Sequence, residues 1–133
     1  MKTYEFFIPG PLPGLNEIID AAKVVMNSGK KAPSIYSKMK TEWDEAIVRI
    51  ILQNEIPALG SILIAFIWIE KDKRRDKDNI EAGKKFILDA LVSSGIIKND
   101  GWGEVDLGKP EFAVNKECPG VIVKIKPIER KRS

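Results

Sequence analysis

The segment KDKRRDKDN, residues 71–79, combines residue types that bind a metal ion with residue types that bind a polyanion. Five Lys and Arg side chains surround three carboxylates, and a single residue separates Asp76 from Asp78. In an extended backbone both side chains would point to the same side, with Cα atoms roughly 7 Å apart. Carboxylates at that spacing repel each other unless a cation lies between them, and Mg²⁺ prefers oxygen ligands. The pattern predicts a metal-binding pair, with a solvated charge run as the alternative.

The elements on either side of this segment predict a site at the end of a strand. Residues 61–70, SILIAFIWIE, are apolar on both faces, which is typical of a central strand covered on two sides. The sequence that follows predicts a helix within residues 80–94, terminated by Gly95. Sites in α/β sheets form at strand ends of this kind. We expect Asn79 to be the helix N-cap and Glu81 to be a first-turn acid that responds to the helix dipole.

The remaining patterns predict one α/β domain over residues 1–133. The other predicted elements are a strand over 3–8, a helical stretch over 15–26, an amphipathic helix over 37–54 and a hairpin of strands 109–115 and 120–128. No repeat or linker divides the chain. We expect a mixed sheet of about four strands packed against two to three helices, followed by a basic tail from about residue 126.

The composition is typical of a folded domain: 44% of the residues are hydrophobic and 31% are charged. The longest apolar run, residues 61–69, is too short to cross a bilayer, and the first residues lack the features of a signal peptide. Cys118 is the single cysteine, so an internal disulfide is excluded. We therefore expect a cytoplasmic protein with no membrane partner.

The chain contains no histidine, which restricts its chemistry. The commonest base at neutral pH and any zinc site built on imidazole are absent. Hydrolysis would therefore depend on carboxylates, lysine or a metal-bound water. A third acid, Asp100, lies in the loop after the predicted helix. That helix would be about 22 Å long, so Asp100 approaches Asp76 and Asp78 only if the chain doubles back, as GIIKNDG permits.

The motifs RRDKDN, KFILDAL and GIIKND, taken in this order, resemble the D-x-D-N…K-x-x-x-D-A-L…D-D pattern of the RusA family of Holliday junction resolvases. The N-terminal FFIPGPLPGLN is also similar to the strand and Pro-rich, Asn-containing loop with which that family begins. The resemblance implies an endonuclease that depends on Mg²⁺, with Mn²⁺ as a substitute. It also implies a homodimer that cuts two strands of a four-way DNA junction symmetrically.

Carried over by position, the resemblance assigns the catalytic, metal-binding acids to Asp76, Asp78 and Asp100, and the active-site lysine to Lys85. The family has two residues between the motif asparagine and the lysine, whereas this chain has five. If the helix starts near Gly83, the extra residues form a loop and Lys85 keeps its place; otherwise Lys84 is a candidate. The residues themselves also allow Lys85 to pair with Asp89 at helical i,i+4 spacing.

In the family pattern two acids stand where this chain has Asn99 and Asp100, so Asp100 is the single acid at this place in the motif.

Positively charged side chains would contact DNA phosphates with little sequence preference. These cations are Lys71, Lys73, Arg74, Arg75, Lys77 and Lys84, with Lys30, Lys31 and residues 124–132 widening the footprint.

Trp43 and Trp68 are predicted to lie in the core. For Trp102, a partly buried core position is favoured over stacking on an exposed base. We expect the dimer interface to use apolar positions of the 37–54 helix or of the N-terminal segment.

Three alternatives to junction resolution remain at this point. The first is a nuclease for flaps or forks, and the second is an inactive DNA-binding protein whose acids neutralise neighbouring cations. Ion pairs from Asp76 and Asp78 to Arg or Lys would favour the inactive protein. The third, a nucleotide or sugar-phosphate enzyme, is disfavoured because no Gly-rich phosphate loop follows a strand.

Overall fold

The computed structural model describes residues 2–28 and 35–129, with side chains over the same ranges except for residues 23–28. The elements are β1 (Tyr4–Pro9), α1 (Leu15–Ser28), α2 (Ile35–Gln53), β2 (Ile62–Glu70), α3 (Lys77–Glu81), α4 (Lys84–Ser93), β3 (Val105–Leu107), β4 (Glu111–Val114) and β5 (Gly120–Pro127). A mixed sheet packed against helices in one domain confirms the predicted fold class. Within the described ranges, no helix is both long enough and apolar enough to cross a membrane.

Strand β2 is the centre of the sheet, because β3, β4 and β5 all pair with it. β5 runs antiparallel along one edge of β2 and carries β1 antiparallel on its far side. β3 pairs in parallel with residues 62–64 of β2, and β4 pairs in parallel with residues 67–70. Since β5 occupies one edge of β2, β3 and β4 lie one after the other along the opposite edge.

The predicted hairpin of the last two strands is wrong, because β2 lies between β4 and β5. The connection over residues 115–119 passes the C-terminal end of β2, where Asn115 N–H donates to the Glu70 carbonyl. Five residues easily span the two interstrand spacings, about 10 Å, that separate the strands. Alternating apolar residues therefore indicated the two strands correctly but did not identify their neighbour.

The helices cover one face of the sheet, so the expectation that β2 is covered on two sides is also wrong. Side chains at alternate positions of β2 point into the core with residues of α2 and α4. The fully buried members of this core include Ile47, Ile51, Ile64, Trp68, Ile87 and Leu91. The intervening residues of β2 face the opposite side, which we call the outer face, and no described helix packs there.

The helix predictions are confirmed except for one break. The predicted 15–26 and 37–54 segments form α1 and α2, and Gly95, with φ of 82°, lies just past the end of α4 as expected. The segment predicted as one helix over 80–94 is instead α3 followed by α4. The joint contains Gly83, where an added Cβ would lie 3.0 Å from the Leu12 Cβ, so close packing against the Pro-rich loop accompanies the break.

Candidate functional site at the C-terminal end of the central strand

An ion pair between Glu70 and Arg75 fixes the end of β2. Glu70 is the last residue of the strand, and alternation places its side chain in the core. Arg75 Nε and Nη2 donate to the two carboxylate oxygens of Glu70 at 2.8 and 2.9 Å. Only 19% of the Arg75 side chain and 12% of the Glu70 side chain remain exposed. Hydrogen bonding to Glu70 raises the pKa of the Arg75 guanidinium, against the opposing effect of burial.

The same guanidinium joins the strand end to the N-terminal Pro-rich loop. Arg75 Nη1 donates to the Leu12 carbonyl at 3.0 Å and lies 3.4 Å from Glu17 Oε1. All three guanidinium nitrogens of Arg75 are therefore engaged within the protein. Although Arg75 belongs to the cationic segment predicted to contact DNA, this geometry gives it a positioning role.

The expectation that Asn79 is the N-cap of its own helix is wrong, because Asn79 instead contacts the start of α1. It lies inside α3, and its Oδ1 accepts a hydrogen bond from Asn16 N at 3.0 Å, which satisfies a first-turn donor of α1. Gly14 makes this approach possible. A Cβ at Gly14 would lie 2.6 Å from Asn79 Oδ1 and 2.8 Å from Arg75 Nη1. The Pro-rich loop and the 71–79 segment are thus built against each other.

Asp76 and Asp78 lie at the start of α3, and both are exposed. Asp76 is the N-cap residue, with extended backbone and no side-chain capping bond, whereas Asp78 lies in the first helical turn. The predicted extended arrangement of the pair is therefore wrong, because the helix begins between the two acids. Asp78 Oδ1 accepts a hydrogen bond from Asn79 N at 2.9 Å. Within the described part of the chain, neither carboxylate forms an ion pair with Lys or Arg.

A cleft of about 570 Å³ opens beside this segment, between the residues that follow β2 and strand β4. Asp76, Lys73 and Lys77 line it together with Phe112 of β4, and Lys77 Nζ lies 5.1 Å from the Phe112 ring centroid. The cleft combines cations and a carboxylate around an aromatic side chain. The two lysines can bind a phosphate group there, next to the carboxylate of Asp76.

The other cations of the segment are exposed, in contrast to Arg75. Lys71, Lys73, Arg74 and Lys77 all project into solvent, and the Arg74 side chain is 86% exposed. Asp72 is held locally, since its carboxylate accepts a hydrogen bond from Arg74 N at 3.0 Å and lies 3.6 Å from Arg74 Nε. Four of the five predicted DNA-contacting cations in this segment are thus on the surface.

Asp100 lies at the other end of β2. Its loop leads into β3, and Ile62 at the start of β2 donates its N–H to the Glu104 carbonyl. A nine-residue strand is about 26 Å long, so one chain does not bring Asp100 beside Asp76 and Asp78. Over residues 2–28 and 35–129, no group of three or more Asp, Glu, Cys or His side chains is arranged to hold a metal ion.

Asp100 instead lines a separate cavity of about 620 Å³ between α2 and α4. There Asp89 Oδ2 lies 3.7 Å from Lys40 Nζ, and Ser93 Oγ donates to Asp44 Oδ1 at 3.0 Å. Asp44 and Asp89, two of the acids that line this cavity, connect the two helices. Because Asp89 faces Lys40, the Lys85–Asp89 pair that helical spacing allows is not among the ion pairs of the described residues.

Lys84 and Lys85, the two candidates for the active-site lysine, are the first two residues of α4. Gly83 is the N-cap residue and Lys84 the first helical residue, so Lys85 stays in the first turn and is exposed, while Lys84 is half-buried. The position of α4 agrees with the alternative in which the helix starts near Gly83. The residues that this chain has in addition to the family spacing belong to α3, however, and not to a loop. Glu81 ends α3, so the expectation that it is a first-turn acid is wrong.

The three tryptophans differ in how far their side chains are exposed to solvent. Trp68 is buried and Trp43 is half-buried against the core, as predicted. Trp102 is 98% exposed, so its predicted core position is wrong. Lys30 and Lys31, together with residues 130–133 of the basic tail, lie outside the described residues.

Sequence reasoning missed Glu70 as a member of this site. A signal was present, because Glu70 continues the inward-facing alternation of Ile62, Ile64, Phe66 and Trp68. An acid in that register is buried, and a buried carboxylate requires a partner such as an Arg a few residues away.

No family model matches the chain, and no curated protein matches it. The likeness to RusA resolvases consequently rests on the motif residues alone. Asp76, which lines the cleft with Lys73 and Lys77, fits one mode of Mg²⁺ binding, in which one or two carboxylates act together with substrate phosphates. A three-carboxylate set that includes Asp100 does not form within one chain.

Proposed function

We propose that the protein is a metal-dependent endodeoxyribonuclease that acts on branched DNA, with the four-way junction as its substrate. One observation carries the proposal. Asp76 and Asp78 remain exposed and without an ion pair inside the described structure, although Lys73 and Lys77 line the same cleft as Asp76 and Lys71 and Arg74 lie nearby in the sequence. Acids that only neutralised neighbouring cations would pair with them, so this arrangement argues against an inactive DNA-binding protein.

The roles of the side chains follow from charge and position. Asp76 and Asp78 would hold Mg²⁺ or Mn²⁺, and the ion would supply an acidified water molecule and positive charge next to the scissile phosphate. The exposed cations of the segment bind neighbouring phosphates, giving strongly salt-dependent affinity with little base readout. Lys85 at the start of α4, with Lys84 as the alternative, contributes a compact positive charge near the phosphate.

The scaffold keeps these groups in place. The Glu70–Arg75 pair, extended to the Leu12 carbonyl, holds the chain as it leaves β2, and Asn79 holds α3 against α1. Preorganisation of this kind reduces the cost of orienting the acids around a phosphate. As part of the same proposal, the enzyme acts in the cytoplasm. It acts there as a homodimer, because a DNA junction with near two-fold symmetry is matched by two identical subunits related by a two-fold axis.

The test is cleavage of a synthetic four-way junction beside linear duplex, flap and fork substrates. We expect paired, symmetric nicks in the junction with Mg²⁺ and none with EDTA. Equal cleavage of flaps and forks would show a less selective nuclease. Tight, salt-sensitive binding without cleavage under any divalent metal would show that the protein is an inactive DNA binder.

A further inference from the structure

A cavity with mostly apolar walls, which we call the apolar cavity, lies between the Pro-rich loop and α2. Its volume is about 430 Å³, which is within the range of small-molecule sites. Met39 and Trp43 of α2 line it together with Pro11, Leu12 and Pro13 of the loop. An aromatic side chain in an apolar cavity offers a surface on which a flat ring can stack.

The helical spacing of α2 brings Met39 and Trp43 together. The two residues are four positions apart, so they lie on the same face of the helix, about one turn from each other. Both are half-buried and pack against the core. Because both also line the apolar cavity, part of each side chain remains accessible from it. The prolines of the loop have a fixed φ, so little ordering is needed when a ligand enters.

The charged groups that line the apolar cavity neutralise one another. Arg75 pairs with Glu70 and lies 3.4 Å from Glu17. Arg74 lies 3.6 Å from Asp72. Lys71 also lines the cavity, so its lining contains three cations and three carboxylates. A cavity without net charge favours an uncharged occupant over a phosphate group.

The apolar cavity adjoins the cleft that contains Asp76. Glu70, Asp72 and Arg75 line both of them. The cleft has two lysines that can bind a phosphate, whereas the cavity has an aromatic surface and no net charge. A nucleic-acid strand has groups of both kinds, because its charged phosphates alternate with uncharged, flat bases. The pair of neighbouring sites therefore matches the chemistry of a nucleic-acid strand.

We propose that the apolar cavity binds one unpaired nucleobase of the DNA substrate, stacked on Trp43, while phosphates of the same strand lie in the cleft beside Asp76. A base inside a duplex does not reach Trp43, because it is paired and stacked between its neighbours. The cavity therefore favours DNA in which a base can leave the stack, as at a branch point, over linear duplex. The preference for one base over another is small, since every base has a face that stacks.

This proposal rests on the proposed function and adds to it a means of distinguishing branched DNA from linear duplex. The test is equilibrium binding in EDTA to two four-way junctions that differ in one group. Each junction carries one extra unpaired nucleotide at its branch point, and this nucleotide either has an adenine base or is abasic. We expect the junction with the base to bind about 10-fold more tightly, which is the effect of one stacked base.

Variants in the wall of the apolar cavity assign that difference to Trp43. Trp43→Leu keeps an apolar side chain against the core but removes the aromatic surface, so the two junctions should bind within about 2-fold of each other. Trp43→Phe keeps a smaller aromatic ring and should retain a difference of about 3-fold or more. Met39→Trp leaves Trp43 in place but fills the cavity, so it should also remove the difference. This variant decides the question if Trp43→Leu does not fold.

The matched control is Trp102→Leu, the same substitution at a tryptophan that is 98% exposed. It should retain the full difference between the two junctions. Thermal melts followed by circular dichroism verify that each variant is folded. Deoxyadenosine monophosphate, added as a competitor, should displace the junction only at about 1 mM or above, because a single base contributes little binding energy.

Four results would overturn the proposal: equal binding of the two junctions, an unchanged difference in folded Trp43→Leu, a lost difference in Trp102→Leu, or displacement by micromolar deoxyadenosine monophosphate. The last would mean that the apolar cavity is a site for free nucleotides. Cleavage with Mg²⁺ is measured separately. Cleavage of junctions together with equal binding would refute only the role of the cavity, whereas base-dependent binding without cleavage would refute only the nuclease activity.

Discussion

The two ends of the central strand both carry clustered acids, but they use them differently. Near the start of β2, Asp44 accepts a hydrogen bond from Ser93 and Asp89 faces Lys40, so the carboxylates connect α2 with α4. Past the end of β2, cations are more numerous, yet Asp76 and Asp78 form no ion pair within the described structure. The number of acids does not distinguish a structural cluster from a candidate site. Among the described residues, what distinguishes them is that Asp89 has an ion-pair partner in Lys40, whereas Asp76 and Asp78 have none.

The largest expected effect tests this contrast directly. We expect Asp78→Asn to reduce junction cleavage more than about 100-fold, because loss of a metal ligand exceeds the effect of changes outside the ligand shell. DNA binding in EDTA should be retained or tighter, since a negative charge is removed beside the phosphates. The measurement is single-turnover cleavage together with binding in EDTA.

The matched variant at the other end of the strand is Asp100→Asn. Because Asp100 lies about 26 Å along β2 from the proposed site, we expect its cleavage rate to stay within about 10-fold of the parent protein. A loss as large as that of Asp78→Asn would contradict the single-chain geometry and would mean that Asp100 reaches the site from a second copy.

The second prediction concerns the scaffold of the proposed site. Arg75→Ala leaves the Glu70 carboxylate largely buried without its partner, so we expect the free energy of unfolding to fall by about 2 kcal/mol, moderated by the remaining solvent contact. The measurement is urea denaturation. Arg74→Ala removes the same charge from an exposed neighbour and should change stability by less than about 0.5 kcal/mol. Equal effects of the two variants would show that the Glu70–Arg75 pair does not hold the strand end.

Much of the fold could be predicted from local patterns. The 3.6-residue period of α2 placed Ile47 and Ile51 in the core, and Gly95 marked the end of α4. Both signals lie within a few residues of the feature that they predict. The pairing of β4 with β2 could not be predicted in this way, because an alternating strand is compatible with any neighbour that offers a free edge.

The candidate site was harder to predict for the same reason. The acids and cations of the 71–79 segment are contiguous in sequence, so their clustering was evident. The contact of Asn79 with Asn16 spans 63 residues, and the position of Asp100 depends on where its loop joins the sheet. Such relations are set by tertiary packing, which residue spacing does not encode.

A smaller effect tests the contact between the Pro-rich loop and the 71–79 segment. In Gly14→Ala the new Cβ would lie 2.6 Å from Asn79 Oδ1, so either the loop or α3 must shift. We expect a loss of about 1–2 kcal/mol in unfolding free energy, measured by thermal denaturation. Gly103→Ala, where no atom lies within 4 Å of the new Cβ, is the control and should be nearly neutral. A neutral Gly14→Ala would mean that this contact is not tightly packed.

The smallest expected effect is on DNA binding, and it compares one lysine at each end of β2. Lys73 lines the cleft beside Asp76, whereas Lys98 is exposed in the loop near the start of the strand. If Lys73 contacts a phosphate, Lys73→Ala should weaken junction binding only a few-fold, and the slope of log K against log salt should fall by about one unit. Lys98→Ala removes the same charge and should leave that slope unchanged. The measurement is a salt titration of binding in EDTA with Asp78→Asn as background, so that no cleavage interferes. Equal slopes for the two variants would mean that DNA does not approach through the C-terminal end of β2, even if the protein cleaves junctions.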